Sequence, residues 1–300
     1  MRTAVTAALS LAVLAGCGSQ AAPESAPESA AGSAVSKSAA PEQGAGTPED
    51  RRIQQVKADC MKQKGFTYIP FVPQPQKRTE TERKSDEGDY AAMRKLRAKY
   101  GFQVFAAHVY PDDPASGALV VEALVPDPNS RVLGALNSTQ FGAYKKAEEG
   151  CFGKALKEVL HKEVPVGGKF GGAMGYFQQR QAKAKQLKER ELDGDPRLVE
   201  PAASFGDCLK AKGYPVTSLK PTTLAERGWQ AFWAEEKKFP RGKDGNPPDL
   251  TPAQARPYLV REVKAALDDL ECGKDFYAVY MPKKREIDLR VNREFGEAVG

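Results

Sequence analysis

The octapeptide Asp59-Cys60-Met61-Lys62-Gln63-Lys64-Gly65-Phe66 returns later in the chain as Asp207-Cys208-Leu209-Lys210-Ala211-Lys212-Gly213-Tyr214. Each copy sets an apolar residue beside its Cys, then lysines, then Gly before an aromatic residue. That is the pattern of a helix end stopped by Gly. Two more landmarks follow in the same order. Ala98-Lys99-Tyr100-Gly101-Phe102-Gln103-Val104-Phe105 recurs as Ala225-Glu226-Arg227-Gly228-Trp229-Gln230-Ala231-Phe232, and Leu136, Gln140 and Tyr144 recur at equal spacing as Leu250, Gln254 and Tyr258. Each copy then closes on one more Cys, Cys151 and Cys272. Such self-similarity marks a duplicated supersecondary unit.

With Cys17 set aside, four cysteines remain, and in an oxidising compartment an even number implies two disulfides. Four cysteines allow three pairings, and spacing alone does not choose among them. The repeat does: if each copy is a folding unit, the bonds are Cys60–Cys151 and Cys208–Cys272. No Cys-x-x-Cys is present, which disfavours a redox dithiol or a zinc ribbon.

Thr47-Pro48-Glu49-Asp50 reads as a helix start, with Ile53, Val56, Cys60 and Met61 on one face. Thr223-Leu224-Ala225-Glu226 reads as a capping box opening another helix. Pro201 is expected to delay or kink the helix that ends at Gly213. Tyr144–Leu160 and Pro257–Leu270 carry helical patterns, and Ile287, Val291 and Phe295 predict a last helix. Gln178–Leu192 is a polar helix, expected to be exposed and to join the copies. Gly117–Val125 is the best strand candidate. The expected fold is therefore mainly α: two related helical modules, 48–166 and 195–300, each tied by one disulfide and joined by a polar helix over 167–194, with at most minor β-structure.

The chain begins with Met1-Arg2 and an apolar run to Ala15, too short to span a bilayer. Leu14-Ala15-Gly16-Cys17 has the form of a lipobox. Residues 1–16 are read as an export signal and Cys17 as a lipid-bearing residue on the outer face of the cytoplasmic membrane. Residues 17–47 are rich in Ala, Ser, Pro, Glu and Gly, a composition expected of a flexible tether. The whole chain carries +6; Arg2 and a net −4 over residues 18–50 leave +9 for residues 51–300. That excess attracts polyanions outside the cell, although solubility alone also accounts for it. An exported chain without a recognition motif is not expected to bind nucleic acid.

Little here announces chemistry. His108 and His161 lack neighbouring ligands at metal spacing, and no Gly-x-Ser-x-Gly, His-Glu-x-x-His or P-loop pattern occurs. The glycines at 167, 168, 171, 172 and 175 read as a hinge between copies. Trp229, Phe232 and Trp233 share one helical side; core packing is the first reading, and a sugar-stacking platform the sharper one.

The duplicated Asp-Cys-Met/Leu-x-x-x-Gly-aromatic block, the later Cys helix and the lipobox together resemble uncharacterised secreted lipoproteins of actinobacteria. Asp195-Pro196-Arg197 and Leu270-Glu271-Cys272 share that flavour. The resemblance covers most of residues 50–280 as sparse landmarks. It implies an envelope location and an α-rich, disulfide-tied fold, and it carries no catalytic residues, metal or cofactor across. The expected function is a non-enzymatic envelope lipoprotein that binds an anionic or cell-wall polymer or a surface protein. The alternative is an extracellular hydrolase working through carboxylates that meet only in the fold. A solute-binding lipoprotein is a weaker third reading, because alternating strand and helix patterns are missing.

Overall fold

The computed structural model describes residues 46–73, 78–118, 126–165, 167–168, 171–242 and 248–296. The signal segment, Cys17 and all of the tether except Gly46 and Thr47 lie outside the described residues, as do residues 119–125 of the strand candidate. The described chain is α-helical, and no strand occurs among the described residues.

Helix α1 (Pro48–Gln63) starts where Thr47 accepts from Asp50 N at 3.1 Å and Asp50 returns the bond to Thr47 N at 3.0 Å. Next come α2 (Glu80–Asp86), α3 (Tyr90–Tyr100), the single turn α4 (Ala106–Val109) and α5 (Asn129–Gly134). Helix α6 (Ser138–Leu160) pairs with α1 and is bonded to it through Cys60–Cys151, with Cα atoms 5.5 Å apart. In the second copy α8 (Pro196–Ala211) packs on α10 (Pro252–Cys272), bonded through Cys208–Cys272 at the same Cα separation. Between and after these lie α7 (Gly172–Leu192), α9 (Pro221–Glu236) and α11 (Lys274–Phe295).

Two repeat landmarks have one structural meaning in both copies. Gly65 and Gly213 end their helices at φ +80° and +83°, and the aromatic residue after each bonds back: Phe66 N to Met61 O at 3.0 Å, Tyr214 N to Leu209 O at 2.9 Å. Gln140 and Gln254 close matching capping boxes with Asn137 and Thr251. The middle landmark diverges. In the first copy Gly101 stops α3 at φ +60°, whereas in the second Gly228 lies inside α9.

The copies interlock. Phe102 of the first lies against Gly228 of the second so closely that a Cβ there would come within 2.1 Å of the ring. The largest apolar cluster mixes Ile53, Phe152 and Leu156 with Phe205, Leu209 and Tyr277, and α3 and α4 pack on α10. The connecting helix is also not merely exposed. Tyr176, Leu187 and Leu192 of α7 are buried in that cluster; they are few and widely spaced within a polar composition.

Two expected helix starts also change. Helix α9 begins at Pro221 rather than at Thr223, because Asp193 accepts from Thr222 N at 2.8 Å and from its hydroxyl at 2.9 Å and so caps that end. Helix α8 begins at Pro196, capped by Asp195, and continues through Pro201.

Candidate functional site

The aromatic side of α9 divides. Phe232 turns inward, 6.0 Å from Phe102, and joins the cluster around Phe105 and Leu259. Trp229 and Trp233 turn outward, 41% and 39% exposed, so the core reading of the stripe holds for Phe232 alone. Positions 229, 233 and 237 form one ridge at i, i+4 spacing. The indoles stack at 5.1 Å and 19°, and Lys237 Nζ caps the column 3.6 Å from the Trp233 ring centre. The nearby acids are engaged elsewhere: Glu235 with Arg261 at 3.0 Å, and Glu236 with His108 at 2.8 Å. Among the described residues no carboxylate pairs with Lys237, Lys238 or Arg241. The ridge therefore presents aromatic area beside cations that no described carboxylate pairs.

A second feature is a cleft of about 520 Å³ between α1, the segment after it, α6 and the start of α7. Asn129 holds that segment by bonding both the N–H and the carbonyl of Ile69, at 2.8 and 2.9 Å, which places Tyr68 and Phe71 on the cleft wall. Lys57 bonds Glu148 at 2.9 Å and lies 4.4 Å over the Tyr68 ring. Tyr68 donates to Gln54 Oε1 at 2.6 Å. Burial pushes the Glu148 carboxyl up, but Lys57 and Lys145 outweigh it, so the group sits below its ordinary value. Burial, then Glu148 and Asp127, push the Tyr68 phenol well above its own. Behind the cleft the buried Tyr144 hydroxyl has no hydrogen-bond partner among the described residues, and burial with the charges of Glu148, Tyr68 and Asp127 pushes it up to about 12. The sequence signal for this cleft was the glycine cluster, read there as a hinge. The side chain of Glu149 occupies the space that Cβ atoms on Gly171 and Gly172 would need, and it accepts from Gly167 N at 2.5 Å. These glycines allow close approach.

Two fully buried carboxylates stand seven residues apart on α10, hence on one face. Asp269 meets Arg97 and Arg227. Glu262 accepts the N–H groups of Phe102, Val104 and Phe105 at 2.7, 2.9 and 2.8 Å. These form a backbone nest in which Gly101 and Gln103 both take positive φ. Burial raises the Glu262 carboxyl above its ordinary value, the three N–H groups partly oppose this, and Glu236 adds to it. Both Glu262 oxygens are committed to backbone, so its raised pKa serves the fold rather than a substrate. His161, the other histidine, caps the end of α6 at φ +53°. Among the described residues no group of three or more His, Cys, Asp or Glu side chains could hold a metal ion, and no helix is long and apolar enough to cross a membrane.

Comparison with protein-family models, with curated proteins and with solved structures finds no match.

Proposed function

We propose that the chain is a non-enzymatic lipoprotein of the cell envelope, carried on lipidated Cys17, that binds an acidic wall polymer through the α9 ridge. The observation that carries the reading is the exposed Trp229–Trp233 stack capped by Lys237. Indole faces and edges suit the C–H surfaces of sugars, and the adjoining cations suit acidic groups. The +9 balance of residues 51–300 supports attraction to such a polymer. A non-catalytic role is supported by two carboxylates: Glu262, whose pKa is raised, is sealed, and Glu148 in the cleft is held low by two lysines.

The test is binding of the protein to purified acidic wall polymer across a salt series, with the double variant Trp229→Ala, Trp233→Ala alongside. Exposed charges act over about 8–10 Å at physiological salt, so binding should weaken steeply with added salt. It should also fall in the double variant. Equal binding by both proteins removes the ridge from the reading. For the anchor, Cys17→Ala should move the protein from the membrane to the medium; a membrane-bound variant without lipid in its mass spectrum refutes that part.

A further inference from the structure

The cleft beside α7 is separate from the tryptophan ridge and differs from it in character. We infer that this cleft binds an uncharged oligosaccharide. Its volume, about 520 Å³, lies within the range of small-ligand sites, roughly 300–1,000 Å³. Its formal charges cancel: Lys57, Lys145 and Lys146 stand against Asp127, Glu148 and Glu149. Glu148 serves two of the lysines at once, through Oε1 to Lys57 and Oε2 to Lys145. A site for an anion or a cation would leave an excess of the opposite sign.

Three other polar side chains of the lining are each fixed through one atom, which leaves a second polar atom for a ligand. Gln54 Oε1 is held by the Tyr68 hydroxyl. Asp127 Oδ1 accepts from Asn129 N at 2.8 Å and from its side-chain amide at 2.9 Å. Glu149 Oε1 is held by Gly167 N. Gln54 Nε2, Asp127 Oδ2 and Glu149 Oε2 have no hydrogen-bond partner among the described residues, and Lys146 has no carboxylate there. The cleft thus offers one fixed donor, Gln54 Nε2, and two fixed acceptors together, with Lys146 as a further donor. Sugar hydroxyls, each a donor and an acceptor, require both. Groups already held in place lose little freedom on binding. Phe71, half-buried, and Met174, 55% exposed, supply apolar wall for the C–H face of a pyranose ring.

The experiment titrates the full chain with chitotriose and cellotriose by calorimetry at low and high salt. Saturable binding of at least one, unchanged by salt, is expected. Phe71→Ala and Asp127→Asn, each checked for an unaltered melting curve, should weaken it about five- to tenfold. Trp229→Ala, Trp233→Ala should leave it intact, which separates this site from the polymer-binding ridge. Three results overturn the inference: no binding of either sugar, binding lost in salt, or binding that follows the tryptophans and ignores the cleft variants.

Discussion

Arg97 Nη1 stands 2.5 Å from Asp269 Oδ1, and this pair joins the first copy of the repeat to the second. Arg227 Nη2 lies 3.4 Å from the other oxygen, and the Tyr277 hydroxyl donates to Oδ1 at 2.7 Å. Helices α3, α9, α10 and α11 thus meet on one fully buried carboxylate. Removing it leaves two guanidinium groups facing each other with little water. We predict that Asp269→Asn lowers stability by about 3–5 kcal/mol, read from urea unfolding. A loss under about 1 kcal/mol, the worth of an exposed pair, would mean that this carboxylate adds little to the joint and that Glu262 and the apolar packing hold the copies together.

The two disulfides close loops of 91 and 64 residues, each worth about 4 kcal/mol in the chain-entropy account. Non-reducing peptide mapping should therefore yield Cys60 joined to Cys151 and Cys208 joined to Cys272. A native peptide joining Cys151 to Cys208 would sink both the pairing and the repeat that led to it. Cys208→Ser with Cys272→Ser should still fold, with a lower unfolding midpoint, because Leu209, Phe205 and Leu270 keep α8 and α10 packed.

Helices with a wide apolar stripe or a cap were legible from residue order. Thr47-Pro48 marked the start of α1, Gly65 and Gly213 marked two ends, and Ile287, Val291 and Phe295 marked α11. Helices α2 and α3 were not anticipated: α2 buries no residue and α3 only three, so the periodic signal is faint. The fate of the aromatic stripe depends on what lies opposite α9. Phe102 arrives from more than 120 residues earlier to cover Phe232 but not the tryptophans, and no local pattern reports that. The cleft is likewise built by long-range approach, with Glu149 set against Gly171 and Gly172.

Acid should weaken the fold through groups that can be named. Burial alone would raise Asp268, but bonds from Lys264 at 2.7 Å, Tyr214 at 2.7 Å and Lys212 at 3.1 Å hold its carboxyl down at about 2, against an ordinary 3.8. A folded value below the unfolded one stabilises above pH about 4, and that share is lost as pH falls from there through about 2. Glu262 runs the other way: raised by burial, it favours the folded state when protonated and loses that share as pH rises through its folded value. The urea midpoint should thus fall between pH 4 and 2 and Asp268→Asn should flatten that fall, whereas Glu262→Gln should leave the slope of that interval nearly unchanged and alter the pH dependence only above about 4.5. A midpoint constant over that interval contradicts the assignment.

The chain contains two tryptophans, and both lie on the α9 ridge. Tryptophan fluorescence, excited beyond the absorption of the ten tyrosines, therefore reports on the proposed binding surface. Each indole is about two-fifths exposed, so folded-state emission should be red-shifted and readily quenched. Lys237, Lys238 and Arg241 should concentrate an anionic quencher near the rings. Iodide should then quench more than caesium, and added inert salt should shrink the difference by screening over about 8–10 Å. Bound acidic polymer should protect the indoles from iodide. Trp229→Ala should change stability by no more than about 0.5 kcal/mol, as expected at a surface position, while removing most of that protection. Blue-shifted emission that neither quencher reaches would place the ridge against another surface and end the case for a free binding face. Equal quenching by both ions would leave the indoles exposed but remove the local positive field from the argument.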